Sequence, residues 1–217
     1  MSNLRIRRLA LKRDLINSLE FGRGFPRTFQ RLYIPANAIQ VRNNSLRYDQ
    51  SCQVTSGDWD KEVFSIWSDH ASNNNFRSAY RKYSENLTWT DVGAIDSIFA
   101  RWAKNGASRM DVENRLANLD KIYTRTAQER LLPTMAEVGG FREFGGILIH
   151  FGRDLNPILG RGGNHRLAIA LALDIPCIPV QVGAIHETLV NSPSNLENLK
   201  NYFSQNRYIS INPSHET

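Results

Sequence analysis

The spacing of apolar positions predicts a helix near the start of the chain and extended segments after it. Leucines recur close to helical spacing over residues 4–20, so this segment is predicted to be an amphipathic helix. The recurring positions are Leu4, Leu11, Leu15 and Leu19. Residues 31–41 are predicted to form a strand with a turn at Pro35 and Asn37, and residues 47–60 a strand or extended piece.

The middle of the chain has helical periodicity, and residues 61–130 are predicted to be mostly helical. Three helices are predicted within it, at 73–86, 88–106 and 108–129. Gly106 is expected to close the second helix and Ser108 to cap the start of the third. The third helix has apolar positions three and four residues apart on one face, at Val112, Leu116, Leu119 and Tyr123.

The later part of the chain returns to short apolar runs separated by turn residues. A hairpin is predicted first, with strands at 145–151 and 158–160 and a turn at 152–157. A helix at 164–174, stopped by Pro176, then leads to a strand at 177–185. A last helix is predicted at 194–206.

These elements predict an α+β fold in which a helical block separates an early strand from a later hairpin–helix–strand unit. Three regions follow from the pattern. Residues 1–30 form a basic amphipathic N-terminal arm, residues 31–190 a domain with a small mixed sheet and a helical insertion at about 61–130, and residues 191–217 a C-terminal helix and tail.

Composition and charge narrow the classes of protein and partner. Apolar residues make up 41% of the 217 positions, which is enough for a packed core. No apolar window reaches the roughly 20 residues of a membrane span, and the start of the chain lacks the features of a secretory signal. Cys52 and Cys177 stand far apart without metal-site spacing, so we expect a cytoplasmic protein.

The formal net charge of +6 is concentrated at the start of the chain. Residues 1–31 contain only two acidic side chains, Asp14 and Glu20. The basic ones are Arg5, Arg7, Arg8, Lys12, Arg13, Arg23, Arg27 and Arg31. Such an excess favours nucleic acid, an anionic membrane surface reached peripherally, or phosphorylated ligands. A solvated face that aids solubility is the alternative, as is docking of the leucine face onto the protein's own core.

A glycine-rich loop directly precedes the apolar helix at 164–174. Gly160, Gly162 and Gly163 permit tight turns and close approach of a ligand, and the first N–H groups of a helix attract anions. Arg166 can grip a phosphate through two hydrogen bonds, and His165 can donate to a phosphate oxygen or move a proton. The predicted phosphate cradle is Gly162, Gly163, Asn164, His165 and Arg166. The alternative is a plain turn with a solvated Arg166 and a capping His165.

The segment "GGNHRLAIALALDIPCIPVQV" resembles the signature region of the ParB/sulfiredoxin superfamily, whose loop and helix start bind nucleotide phosphates. Gly162, Gly163, His165 and Arg166 agree with the Gly-Gly-Cys-His-Arg of sulfiredoxin. Asn164 stands at the cysteine position, which excludes sulfinic-acid reduction through this residue. The Asp-Gly-x-His-Arg loop of the serine-kinase branch and the Glu-Arg-Arg loop of the partition-protein branch are not present.

A second, broader resemblance adds an acidic segment, "SGDWD" at 56–60. This segment, the helical block and "GGNHRLAIA" follow one another in an order similar to that in uncharacterised prokaryotic ParB-like proteins. The similarity covers roughly residues 31–187. Asp58 and Asp60 share one face of an extended segment, so they are candidates to hold Mg²⁺ through water, or for one of them to act as a base. The alternative is a turn in which Asp58 bonds to backbone and Trp59 lies in the core.

Together these features predict a nucleotide-binding protein that carries out phosphoryl transfer or nucleotide hydrolysis with ATP, CTP or another nucleotide, and Mg²⁺. The expected catalytic residues are Asp58, Asp60 and His165, with Asp58 and Asp60 as the metal ligands. The phosphoryl acceptor, a small molecule or a macromolecule, is not identified. Two alternatives are a DNA- or RNA-binding module with a basic arm, and an interaction protein that has kept the fold without the chemistry.

Overall fold

The computed structural model describes residues 3–208, which form six α-helices and seven strands. The helices are α1 (Asn3–Phe21), α2 (Asn74–Ser84), α3 (Ala94–Trp102), α4 (Arg109–Glu129), α5 (Asn164–Ala172) and α6 (Pro193–Gln205). The strands are β1 (Arg31–Pro35), β2 (Val41–Arg42), β3 (Val54–Thr55), β4 (Phe64–Ser65), β5 (Ile147–Phe151), β6 (Pro157–Leu159) and β7 (Cys177–His186). The α+β prediction is confirmed.

All seven strands belong to one mixed sheet with the order β1-β7-β5-β6-β2-β4. The long strand β7 pairs antiparallel with β1, parallel with β5, and parallel with β3 beyond the end of β1. β6 pairs antiparallel with β5 and parallel with β2, and β4 closes the sheet antiparallel to β2. β5 and β7 are buried almost throughout, as expected for strands in the middle of a sheet.

Local sequence signals predict several elements correctly. β5 and β6 form the predicted hairpin, paired from Ile149 with Leu159 to Phe151 with Pro157. The side chain of Ser108 accepts from the backbone N–H of Asp111, and the Asp111 carboxylate accepts from the backbone N–H of Ser108, so α4 begins with a reciprocal cap.

The early extended segments are more broken than predicted. The strand expected at 31–41 is divided into β1 and β2 by a single 3₁₀ turn at Ala36–Ala38. Within 47–60 only Val54 and Thr55 join the sheet, and a 3₁₀ turn occupies Tyr48–Gln50. A short strand, β4, also precedes the helices α2–α4 in the segment that was expected to be mostly helical.

α1 packs on the rest of the protein through a face that the leucine pattern does not identify. Ile6 and Ala10 are buried in a small cluster with Phe29. The carboxylate of Asp14 pairs with Arg142, with 2.8 Å between the charged atoms, and it also accepts from the backbone N–H of Thr28. The four recurring leucines are all exposed, so the alternative in which this leucine face docks on the protein's own core is not what the structure shows. Within residues 3–208, no helix has the length and apolar character needed to cross a membrane.

α5 lies against the sheet and against α2, and it brings the glycine-rich loop to the start of β5. The residues from Leu167 to Ala170 are fully buried in the main core. Gly163 precedes the helix with φ of +79°, and a Cβ at this position would lie 2.3 Å from the Cα of Ile147. The start of α5 is therefore held by direct contact between two backbones, which only glycine permits.

Replacement of Gly163 by alanine is expected to destabilise the protein strongly. Gly93 provides a matched control because it also precedes a helix with positive φ, at +65°, but has nothing within 4 Å of its Cβ position. Gly93→Ala should cost about 1–2 kcal/mol of unfolding free energy from backbone strain alone. Gly163→Ala should cost about 1–3 kcal/mol more, because the β5 backbone must move. Urea denaturation measures both, and equal losses would contradict the backbone contact.

Candidate functional site

The three glycines of the loop are explained by packing. A Cβ at Gly160 would lie 2.6 Å from the Nε2 atom of His150, and one at Gly162 would lie 2.1 Å from the hydroxyl oxygen of Tyr48. Gly163 contacts the β5 backbone as described above. Since each glycine is already required by a neighbouring protein atom, the glycine content of the loop does not by itself indicate a ligand.

A cavity of about 610 Å³ opens beside this loop, between the start of α5 and the helix α4. All five residues of the predicted cradle line it. The opposite wall includes Arg115 and Asn118 of α4, and Arg161 lies at the loop itself. The first N–H groups of α5 have no acceptor within their helix, so this wall also has the positive end of a helix dipole.

A smaller recess of about 270 Å³ adjoins the cavity through Arg161 and Asn164, which line both. Arg42 and Arg101 complete its basic wall. Arg42 is buried, and burial lowers its pKa to about 10, which leaves the guanidinium charged at neutral pH.

These arginines are held by neutral partners. Arg42 donates to the backbone oxygens of Ser72 and Gly160 and to two asparagine side chains. Arg161 donates to the backbone oxygen of Asn44, and Arg101 to the side-chain oxygen of Asn75. In the part of the chain that the structure describes, no carboxylate lies within 4 Å of the guanidinium nitrogens of Arg42, Arg101, Arg115 or Arg161.

His165 is buried at the inner end of the cavity, with its ring edge-on to Trp89 at 6.3 Å between ring centres. Burial, and then the positive charges of Arg115 and Arg101, lower the pKa of His165 to about 4. The ring is therefore neutral at pH 7, with one nitrogen that donates a hydrogen bond and one that accepts.

Arg166 is directed into the protein. It is buried, and its Nη2 atom donates to the backbone oxygen of Pro133. Burial lowers the pKa of Arg166 and raises that of the nearby Glu143, whose carboxylate also accepts from the backbone N–H of Met135. Arg166 therefore joins α5 to the segment before β5, a structural contact that the loop sequence does not reveal.

Asp58 and Asp60 both bind Arg153, in the turn between β5 and β6. The Asp60 carboxylate accepts three hydrogen bonds from Arg153, of 2.7–3.0 Å, one of them from the backbone N–H. Asp58 is exposed and accepts from Arg153 at 2.8 Å and from Lys61 at 3.0 Å. The hydrogen bonds from Arg153 are the main cause that lowers the pKa of both aspartates.

The acidic segment and the glycine-rich loop are at opposite ends of the hairpin. Arg153 lies two residues after the end of β5, whereas Gly163 contacts Ile147, the first residue of β5. Five residues of strand separate them by roughly 16 Å. Asp58 and Asp60, which were expected to act together with His165, therefore do not line the cavity that contains His165. The carboxylate oxygens of Asp58 and Asp60 are taken up by basic side chains, and residues 3–208 contain no group of three His, Cys, Asp or Glu placed to hold a metal ion.

The site residues predicted from the sequence do not include Arg42, Arg101, Arg115 and Arg161. Arg161 lies between Gly160 and Gly162, and this position beside the loop glycines was its only local signal. Arg42, Arg101 and Arg115 come from β2, α3 and α4, and no spacing in the sequence relates them to the loop. Only the folded path of the chain brings them to the start of α5.

The ion pairs of Asp60 are expected to stabilise the hairpin turn. Asp60→Asn should lower the free energy of unfolding by about 2 kcal/mol at pH 7, because Asp60 is buried and its bonds to Arg153 are charge-assisted. The exposed Asp58→Asn is the control and should have a much smaller effect. Because folding lowers the pKa of Asp60, this contribution is present at neutral pH and is lost as the pH falls below the unfolded value of about 3.9. Urea denaturation of parent and variants between neutral and acid pH measures this, and equal stabilities at pH 7 would contradict it.

No protein-family model, curated protein or solved structure matches this chain. The ParB/sulfiredoxin resemblance of the loop thus stays a prediction, and no family is assigned. The candidate site is defined by its geometry: a helix start, a cavity and four arginines that have no carboxylate partner within residues 3–208.

Proposed function

We propose that the cavity at the start of α5 binds the phosphate groups of a small ligand, and that this ligand is a nucleotide. The observation that carries the proposal is the set of four arginines without carboxylate partners in the described residues, Arg42, Arg101, Arg115 and Arg161. Like charges gathered without counter-charges raise the energy of the protein, and a bound polyanion relieves that repulsion.

The shape of the site favours a small molecule. Its volume of about 610 Å³ falls within the range of roughly 300–1,000 Å³ typical of small-ligand pockets. Leu119 and Ile122 give part of the wall an apolar character suited to a base or sugar, while Arg115 and Arg161 face the phosphates. The resemblance of the loop to nucleotide-binding ParB/sulfiredoxin-like proteins supports the same ligand class and the corresponding fold.

Phosphoryl transfer or nucleotide hydrolysis is the reaction that we propose for this site. Such a reaction needs mainly positioned phosphates and neutralised charge, which the arginines and the helix start supply. Neutral His165 lines the cavity and has an unprotonated ring nitrogen that can orient an attacking hydroxyl or water, while its pKa of about 4 makes it a weak proton acceptor. Asp58 and Asp60 do not fit a magnesium site here, because they bind Arg153 at the other end of the hairpin, and we assign them no step.

Nucleotide affinity is expected to depend on Arg115 and Arg161. Arg115→Gln and Arg161→Gln should each weaken binding of ATP or CTP by roughly tenfold or more, the effect of losing a charge-assisted hydrogen bond. Arg125→Gln is the matched control, since Arg125 is an exposed arginine of the same helix that pairs with Glu129. Titration calorimetry, with and without Mg²⁺, measures the affinities, and thermal melting in saturating nucleotide gives an independent readout.

Unchanged nucleotide affinity in both variants, or an equal loss of affinity in Arg125→Gln, would contradict the proposed nucleotide site.

A second candidate function, binding of a nucleic-acid backbone, is favoured by the exposure of Arg101, Arg115 and Arg161. It would be recognised by a steep fall in affinity for a DNA or RNA fragment as salt increases, without saturable binding of free nucleotide.

A further inference from the structure

The outward face of α1 is apolar, although it points away from the protein. Leu4, Leu11, Leu15 and Leu19 are 59%, 67%, 62% and 80% exposed, and helical periodicity places them on one side of the helix. Ile6 and Ala10, on the opposite side, pack on the body of the protein. We call the four leucines the leucine stripe. A surface helix normally has the reverse arrangement, with its polar face in solvent.

Basic side chains surround the leucine stripe. Arg5, Arg8 and Lys12 lie on α1 itself, and Arg23 and Arg27 lie in the loop that follows it. A groove of about 630 Å³ beside the stripe is lined by Leu11 and Leu15 together with both loop arginines. Within residues 3–208, none of the five basic side chains has a carboxylate within 4 Å. Arg8 lies on the same side between Leu4 and Leu11, so the outer ridge is continuously apolar only from Leu11 to Leu19, with positive charge beside it.

We propose that α1 docks on an anionic membrane surface. The leucine stripe enters the boundary between headgroups and acyl chains, and the basic side chains pair with lipid phosphates. An exposed apolar ridge with flanking Arg and Lys is the pattern that binds in the plane of a membrane interface. This inference goes beyond the proposed nucleotide site and does not depend on it.

Charge and apolar character together favour a membrane over the other occupants. A nucleic acid would pair with the arginines but leave four leucines in water. A second copy packed parallel through α1 would place Arg5, Arg8 and Lys12 close to the same residues of the partner, where their charges repel, and an antiparallel copy would bring basic side chains against the leucines and remove them from water. Anionic lipid satisfies both features at once, because its phosphates face the basic side chains and its acyl chains face the leucines.

The test is sedimentation of the full chain with lipid vesicles. Binding to vesicles of phosphatidylcholine mixed with phosphatidylglycerol should be at least roughly tenfold stronger than binding to phosphatidylcholine alone. The triple variant Leu11→Gln/Leu15→Gln/Leu19→Gln should lose at least roughly tenfold of the binding to the anionic vesicles. Its thermal stability should stay at the parent value, because these side chains are exposed.

Two further variants separate insertion from charge. Met110→Gln/Leu131→Gln removes exposed apolar side chains elsewhere on the protein and should bind as the parent does. Arg5→Gln/Arg8→Gln/Lys12→Gln should abolish the preference for anionic vesicles. Three results would each overturn the proposal. They are equal vesicle binding by the leucine variant and the parent, absence of vesicle binding by the parent, and self-association of the parent that the leucine substitutions abolish.

Discussion

The contact between the backbone of Gly163 and the start of β5 determines the position of the candidate site. α5 begins where the loop passes Ile147, at a distance that leaves no room for a side chain at position 163. The same helix is anchored from within by Leu167 and its neighbours in the main core, and by Arg166 on the carbonyl of Pro133. These contacts fix the free N–H groups of the helix at the mouth of the cavity. The loop glycines thus act first in packing, and any ligand meets a helix start that the protein has already positioned.

The electrostatic character of the protein is uneven. Acidic side chains elsewhere pair with basic ones: Asp60 binds Arg153 of the hairpin turn, for example, and Glu129 binds Arg125 within α4. Arg42, Arg101 and Arg161 donate to neutral oxygens instead, which orient the guanidinium groups without cancelling their charge. A fixed group of positive charges without counter-charges is the arrangement that binds an anion with little reorganisation. Burial is the main cause that lowers the pKa of His165, and the positive charges of Arg115 and Arg101 lower it further.

Folding places two motifs of similar composition in different environments. The loop from Gly162 to Arg166 and the segment from Asp58 to Asp60 both combine turn residues with charged side chains that suggest chemistry. In the folded protein the acidic segment fastens the hairpin turn through Arg153, and Trp59 between the two aspartates is buried. Its charges are used in holding two segments together. The loop, in contrast, borders a cavity and its adjoining recess, whose arginines Arg42, Arg101, Arg115 and Arg161 have no carboxylate partner within the described residues.

The sequence by itself determined the elements that depend on neighbours in the chain. The hairpin of β5 and β6, the cap of α4 at Ser108 and the start of α5 follow from turn residues, capping side chains and apolar period, all of which act within a few residues. The class of fold followed from the order of these elements. Only the tertiary structure decided which face of α1 is buried, because a helix with apolar residues on two sides has no preferred inner face until it meets a surface. It also decided the partner of Asp60 and the gathering of the arginines, because those contacts join segments far apart in the chain, and the path between them is set by the packing of the whole core.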